Sequence, residues 1–499
     1  MMLGMRLSDL AAALGWPLPS VPTTDPEVTG VTHRADWTAP GNVFVAIRGQ
    51  QADGHQFLNQ AAQRGAVAAV GEGLQDGAVT PLPYLSVPTA RTALADAAAL
   101  LAGSPSQAMT VIGVTGTDGK TTTAWLTAAL LRAGGMETGL LSSAGYQLPD
   151  GELRHYPAHF TTPEAPQLQG LLAQMRRSGA QAAVIETSSH ALTLERVRGV
   201  AWDAAVWTHL SREHLDFHGS LENYFAAKRR LIEAAPFAVL NADDPWTERL
   251  RGAANEETTY SAARGSSDWR ASDLREEADG RASFLVDGPA GRFRAALPLT
   301  GHFQMGNALA AMAVAWRFGA SAEDLQRGLS QFEGPPGRMQ LLLSAPDQPR
   351  VISDSAHTPD SLSNALQALR PLTAGQLWVI VGSAAGGRDS SKWEPMAAAA
   401  TALADRVILT EADHRDTPLN QILDVMAAAA TRPNFKCIGD RAEAIAYAVQ
   451  HATPLDTVLI ANKGGEHFLQ RGQTVYEWSD AEAAQAALRG EVYQVRDKA

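Results

Sequence analysis

The apolar positions of this 499-residue chain fall into short runs of Val, Ile, Leu and Ala that alternate with longer, Ala-rich stretches of helical spacing. Runs at 43–47, 66–70 and 84–87 precede a helical stretch at 90–102. A Val/Ile run at 109–114 leads into a glycine turn, then a helical stretch from Lys120 to Ala133 that stops at Gly134-Gly135. Runs at 182–185, 204–207 and 237–240 each follow a helix-like segment and end in polar residues, and the pattern repeats at 377–381, 407–410 and 457–461. Short apolar strands alternating with helices predict parallel sheets covered on both faces. Polar residues just past such strand ends are where these folds place ligand sites. Residues 255–298 differ: polar, alternating and turn-rich, they predict an antiparallel excursion.

Punctuation divides the chain into three α/β domains. Gly103-Ser-Pro-Ser-Gln107 reads as a linker and Gly334-Pro-Pro-Gly337 as a second boundary. The expected domains are a smaller N-terminal α/β domain (1–106), a central P-loop-type parallel sheet with helices on both faces (107–333), and a C-terminal Rossmann-like α/β domain (334–499). A 45% hydrophobic and 19% charged composition is that of a globular protein. The formal charge of −12 disfavours nucleic acid and anionic membranes as partners. A single cysteine, Cys437, excludes a disulfide framework or a Cys-based zinc site within one chain. Asp9 interrupts the first apolar run, which argues against a signal peptide. No run approaches the ~18 apolar residues of a membrane span. The expected location is the cytoplasm and the expected state a monomer.

The chemistry is clearest at Gly113-Val-Thr-Gly-Thr-Asp-Gly-Lys-Thr-Thr-Thr123, which follows a strand and opens a helix. Gly116 and Gly119 let the backbone curl so that N–H groups converge, and the helix N-terminus adds partial positive charge. Lys120 would reach the β- and γ-phosphates, and Thr121 would offer a hydroxyl to Mg²⁺. The segment 116–122 (Gly116, Thr117, Asp118, Gly119, Lys120, Thr121 and Thr122) is therefore a candidate ATP cradle. Glu186, at the end of a strand, is the obvious carboxylate for a metal that prefers hard oxygen ligands.

The Gly113-x-x-Gly116 spacing resembles the loop of the Mur ligases and folylpolyglutamate synthetases, which phosphorylate a carboxylate and then add an amine. Glu186-Thr-Ser-Ser-His-Ala-Leu192, Thr208-His-Leu-Ser-Arg-Glu-His-Leu-Asp-Phe-His218 and Tyr224-Phe-Ala-Ala-Lys228 follow in the family's order. The resemblance implies Thr121 and Glu186 as ligands of one Mg²⁺ and His214 as a ligand of a second. It also implies that Lys228 reacts with CO₂ to give a carbamate that helps fix the metal site. Lys120, Glu186, His214 and Lys228 become the expected catalytic set. Asn307, in Gly306-Asn-Ala-Leu309, matches an adenine-side asparagine, Arg338 a nucleotide-contacting arginine, and Asp354-Ser-Ala-His-Thr-Pro359 the pattern D-Y-A-H-T-P, so Asn307, Arg338 and Asp354 join the ATP set.

Within the family, the chain most resembles the ligases that add the third residue of the peptidoglycan stem peptide. Arg34, Phe44-Val-Ala46 and Asp53-Gly-His55 resemble their UDP-binding domain, so residues 1–106 are expected to bind the UDP substrate, 107–333 ATP and 334–499 the amino acid. Arg34, Thr161, Thr162, Ser188 and Arg196 match positions that hold UDP-N-acetylmuramoyl-dipeptide. Arg388, Asp389 and Lys392 resemble a glycine-rich R-D-x-x-K stretch. Departures are numerous. Asp118 stands for the Asn of G-T-N-G-K, His209 and Glu213 for the Asn and Asp of T-N-L-S-R-D-H, Ser355 for Tyr, and Thr32-His33 for D-S. The amino-acid pocket departs most: D-N-P-R reads Ala412-Asp-His-Arg415, and G-K-G-H-E reads Asn462-Lys-Gly-Gly-Glu466. Arg415, Asp413, Gly464 and Glu466 are the expected amino-acid-binding residues, with Glu411 a further partner for an ammonium. The altered setting of Arg415 weakens the case for meso-diaminopimelate and leaves L-ornithine or L-lysine slightly favoured. Two alternatives stay open. One is another amide ligase of the group, acting on folate, cyanophycin or a different muropeptide. The other is a nucleotide-binding protein that has lost ligase activity.

Overall fold

The computed structural model describes all residues except 1–3, 19–24, 50–51, 75–79, 157–159, 264, 277–280, 300, 344, 386–389 and 498–499. Arg388 and Asp389 thus lie outside the described residues. Near the N-terminus, Gly30–Thr32, Asn42–Ala46, Ala68–Gly71 and Tyr84–Ser86 form a four-stranded parallel sheet in sequential order. The period-two alternation of a strand divides Asn42–Ala46 between two cores: Val43 and Val45 pack on one face with the helix Ala90–Leu101, Phe44 and Ala46 on the other. The segment read as a linker is a packed joint. Pro105–Ala108 makes a short 3-10 turn, and buried Ser106 accepts the Ala201 N–H at 3.0 Å, tying the joint to the next domain.

Among the described residues the central sheet has eleven strands. Its parallel portion runs, in spatial order, Thr138–Ser142, Ala182–Glu186, Thr110–Thr115, Ala204–Trp207, Phe237–Asn241 and Glu256–Ser261. Val111 and Ile112, neighbours in sequence, enter opposite cores. Ile112 meets the helices Lys120–Ala133 and Phe303–Arg317, and Val111 meets Ala165–Arg177 and Leu221–Ala234. Each core buries a large apolar area, which is the main stabilising term. Gly113 is needed where the Leu231 and Trp202 side chains crowd the strand, since a Cβ there would lie 2.7 and 3.0 Å from them.

The expected antiparallel excursion begins later than its polarity suggested. Glu256–Ser261 still pairs in parallel, and only Trp269–Glu276, Ala282–Gly288 and Gly291–Leu297 form an antiparallel meander. Ala282, Phe284 and Val286 face the core, and the residues between them do not, which explains the alternation.

The C-terminal sheet places Gln340–Leu343 antiparallel at one edge. Arg350–Ser353, Thr457–Ile460, Leu377–Val381, Arg406–Leu409 and Phe435–Cys437 follow in parallel. A buried ion pair lies under it: Arg441 donates to Asp480 at 3.0–3.2 Å, and both are at most 1% exposed. Among the described residues no helix is long and apolar enough to cross a membrane.

Candidate active site

The strand Thr110–Thr115 is central, so its neighbours in the sheet deliver Glu186 on one side and Thr208 on the other to the same turn. The turn takes backbone that favours glycine, with φ of +149° at Gly116 and +81° at Gly119. A Cβ at Gly116 would strike Thr208 and come 3.0 Å from the His209 backbone. Residues 208–211 brace the loop: Thr208 Oγ1 donates to Asp118 O at 2.7 Å, Thr117 N–H to His209 O at 2.7 Å, and Ser211 N–H to Thr117 Oγ1 at 3.0 Å. Thr117 Oγ1 also meets the buried Tyr224 hydroxyl at 3.2 Å, so this side chain supports the loop. Lys120 Nζ donates to Thr117 O at 2.6 Å, folded over the loop it is expected to serve. Thr122 is buried in the helix's first turn.

Thr121 is where the candidate groups converge. Its hydroxyl lies 3.0 and 3.1 Å from the two Glu186 oxygens and receives Arg338 Nη2, from the C-terminal domain, at 3.2 Å. Glu186 is 1% exposed and also accepts Ser143 N–H at 2.7 Å and Ser143 Oγ at 2.9 Å. No motif spacing pointed to Ser143. Its place just past the strand Thr138–Ser142 is the signal that could have found it. Asn307, expected on the adenine side, packs against the loop. Its Oδ1 accepts Thr123 Oγ1 at 3.2 Å and is 2.6 Å from where a Cβ on Gly119 would stand. Asp354 accepts the N–H groups of Met339 at 2.7 Å and Ala356 at 2.8 Å, shaping the turn that carries Arg338. Burial raises the Asp354 carboxyl above its usual value, Arg338 and those N–H groups opposing.

Lys228 is fully enclosed. It is 1% exposed, its Nζ donates to Gly116 O at 2.5 Å, and it lies 4.6 Å from the Tyr224 ring centroid. Burial, reinforced by the nearby Lys120 charge, pushes this amine well below its usual range, against Glu213, Asp118 and Glu186. His214 adopts a left-handed backbone at φ +56°, and its ring meets His190 edge-on at a centroid distance of 4.7 Å. Burial drives His214 down to about 4, with Glu213 opposing, and His190 to about 3. Both are therefore neutral at pH 7, the state a metal-ligating imidazole requires. Glu213, one residue earlier, bridges domains: its Oε1 is 3.0 Å from His357 Nε2. Mg²⁺ takes hard oxygen donors, which Thr121 and Glu186 supply side by side. Among the described residues no three His, Cys, Asp or Glu side chains form a metal cluster. A metal here would therefore draw on the Thr121 hydroxyl and on substrate oxygens as well.

The residues expected on the UDP side, Arg34 excepted, gather around Glu186 and Glu164. Thr162 Oγ1 donates to Glu186 O at 2.8 Å and accepts Ser188 N–H at 3.0 Å, while Thr161 Oγ1 receives Ser143 Oγ at 3.3 Å. Ser188 caps the short helix Ser189–Thr193. Arg196 pairs with Glu164 at 2.8 Å, and its buried Nε has no hydrogen-bond partner among the described residues. Arg34 stands apart from them, bidentate to Asp36 at 3.0 and 2.6 Å over the Trp37 ring.

The acids expected on the amino-acid side are held in ion pairs. Asp413, 4% exposed, takes Lys463 Nζ on both oxygens at 3.0 Å and the Gln470 N–H at 2.9 Å. Lys463 also reaches Glu466 Oε2 at 2.5 Å. Glu411 is buried against Arg471 at 2.9 and 2.5 Å. Asp413 and Glu411 are thus already matched by cations, whereas the Glu466 side chain keeps 28% of its surface open. Arg415, at φ +48°, donates Nε to Gln470 Oε1 at 3.1 Å. Gly464 is glycine because its Cα abuts Ser355 and Gly337, where a Cβ would lie 2.5 Å from Gly337 O.

The family patterns described as Mur ligase family, catalytic domain; Mur ligase middle domain; and Mur ligase, glutamate ligase domain match residues 27–101, 114–315 and 337–464. The UDP-N-acetylmuramyl-tripeptide synthetase of Deinococcus radiodurans is 61% identical over 97% of this chain and 99% of its own. Its namesake from Roseiflexus sp. is 41% identical over 97% and 99%. The solved structure of a UDP-N-acetylmuramoyl-L-alanyl-D-glutamate–2,6-diaminopimelate ligase superposes with a TM-score of 0.65 at 28% identity, over 98% of this chain and 99% of that one. With such identity over nearly its whole length, the chain belongs to the Mur ligases, ATP-dependent enzymes that join an acid to an amino acid through an amide bond.

Proposed function

We propose that this ligase adds the third amino acid to UDP-N-acetylmuramoyl-L-Ala-D-Glu in the cytoplasm, as a monomer, through an acyl phosphate. The observation that carries the reading is the meeting at Thr121 of the phosphate loop, the Glu186 carboxylate and Arg338 from the next domain. A site that gathers groups from two domains around one hydroxyl can bind a triphosphate and close on it.

In this reading, the loop N–H groups and Lys120 hold the β- and γ-phosphates, and Lys120 leaves the Thr117 carbonyl to do so. Thr121 and Glu186 would hold one Mg²⁺, and His214 with Lys228, as its carbamate, a second. Bound Mg²⁺ would screen the repulsion between the triphosphate and the acceptor carboxylate. Burial pushes the Lys228 amine well below its usual range and so favours the neutral form, whose lone pair would attack CO₂, forming the N–C bond as a proton leaves. Thr161, Thr162, Ser188 and Arg196 orient the UDP-muramoyl-dipeptide so that its acceptor carboxylate lies beside the loop, and Arg34 serves the UDP end. The acceptor carboxylate attacks the γ-phosphorus and ADP leaves; the incoming neutral amine then attacks the acyl carbon, the C–N bond forms as the nitrogen gives up a proton to solvent, and phosphate departs with the bonding pair.

The amino acid enters from the C-terminal domain beside Arg415, Asp413, Gly464 and Glu466. Glu466, more open than Asp413 and Glu411, supports a substrate with a distal ammonium: L-ornithine, L-lysine, or meso-diaminopimelate by its amino end. The test is a panel of amino acids in a phosphate-release assay with purified enzyme, ATP, magnesium and UDP-muramoyl-dipeptide. ADP and phosphate are expected only when dipeptide and a diamino acid are both present. Release that ignores either one would overturn the assignment.

A further inference from the structure

Two departures from the family pattern meet in space. Asp118 and His209 each stand where the pattern has asparagine, 91 positions apart. His209 Nε2 lies 3.5 Å from Asp118 Oδ2, and both side chains are about two-thirds buried at the mouth of the phosphate loop, 35% and 28% exposed. The backbone enforces the meeting. The Thr208 hydroxyl is bonded to Asp118 O and the Thr117 N–H to His209 O, both at 2.7 Å, and Gly116 allows the two segments to lie back to back.

A carboxylate within the loop is an electrostatic liability, because it faces the site of a triphosphate and like charges repel steeply in a partly buried site. Glu213, buried nearby, adds a second negative charge, and Lys120 is a cation facing Asp118. A pair of asparagines carries no charge and needs no such counterweight. Replacing one asparagine by aspartate creates the need, and the replacement opposite it is a histidine aimed at that carboxylate.

Resting on the ATP-binding reading above, we propose that Asp118 and His209 are a matched pair in which His209 is a positioning residue. It holds the Asp118 carboxylate away from the triphosphate and so sets the affinity of the loop for ATP. The arrangement makes the aspartate depend on the histidine: Asp118 without His209 weakens the site, and the two together preserve it.

The experiment is a double-mutant cycle on the full chain with His209→Asn, Asp118→Asn and the double variant. Titration calorimetry reads ATP-magnesium affinity, and steady-state assays read KM and kcat. Calorimetry needs no turnover, so a failed ligase assay would strike the proposed function and leave this test standing. His209→Asn is expected to weaken ATP binding about tenfold, a coupling typical of contacting residues, with the loss in KM and not kcat. Adding Asp118→Asn is expected to recover affinity to within about threefold of the parent. If His209→Asn does not fold, Asp118→Asn and the double variant still decide the matter, since they should bind ATP within about twofold of each other. Unaltered affinity in His209→Asn, or a loss that persists in the double variant, overturns the pairing.

Discussion

The phosphate loop and the proposed amino-acid pocket are built on opposite plans. At the loop, the candidate groups bond mostly to backbone or to neutral hydroxyls: Lys120 to Thr117 O, Lys228 to Gly116 O, Thr121 to Glu186 and Arg338. In the pocket, charges are matched against charges, with Lys463 shared by Asp413 and Glu466, and Arg471 on Glu411. A ligand of the loop displaces weak internal partners. A ligand of the pocket must enter a neutralised network, so most of its acids are scaffold. The loop can therefore be disabled through chemistry with the fold intact, whereas the network around the pocket fails first through stability.

The largest effect expected is at the loop. Lys120→Ala should lower kcat/KM about a thousandfold or more, because a preorganised cation is lost where charge develops on the transferred phosphoryl group. Its unfolding midpoint should stay near that of the parent, since Lys120 makes only the Thr117 contact among those described above. ADP release and thermal denaturation, measured together, check this. A parallel fall in both would erase the contrast.

The converse test is Arg441→Ala. Arg441 and Asp480 are sealed beneath the C-terminal sheet, Asp480 also accepting Trp478 Nε1 at 2.9 Å and Ser353 Oγ at 3.1 Å. Removing the cation strands a buried carboxylate, at a cost of about 3–5 kcal/mol. Urea denaturation should show that loss, while the KM for ATP of the protein that remains folded changes little.

The contrast also explains what could be read without coordinates. Gly116, Gly119, Lys120 and Thr121 are contiguous, and a strand–turn–helix context with that spacing admits few other uses, so the loop was legible from local pattern. The layered α/β architecture was legible too, because buried parallel strands have to be short apolar runs. Ser143, Tyr224 and the Glu213–His357 bridge were not, because each acquires its role from partners 18 to 144 positions away. The pairing of Asp413 with Lys463 was hidden for the same reason: an acid in a candidate pocket looks available until the cation that covers it is located. The polar alternation that begins near 255 misplaced the start of the antiparallel meander, since Glu256–Ser261 is polar on one face yet still paired in parallel.

Arg338 lies between the two regimes, a C-terminal side chain bonded to the loop. Arg338→Ala should raise the KM for ATP by about ten- to a hundredfold, the worth of one charge-assisted hydrogen bond. Steady-state kinetics at saturating amino acid check it. A change confined to the amino-acid KM would move Arg338 from the loop's side of the comparison to the pocket's.

The finest test separates ligand-facing acid from scaffold inside the pocket. Glu466 and Asp413 both hold Lys463, so removal of either charge leaves the ammonium with the other. Their surroundings differ: Asp413 is closed off and also fixes the Gln470 N–H, whereas more than a quarter of the Glu466 side chain faces outward. If Glu466 meets the distal ammonium, Glu466→Gln should raise the KM for the amino acid about tenfold through loss of one charge-assisted bond, with little change in the KM for ATP. Asp413→Asn should instead lower the melting temperature, because it weakens the partner of a buried lysine. Equal kinetic effects would mean that both acids reach substrate, and the division between scaffold and contact would then have to be drawn outside the Lys463 network.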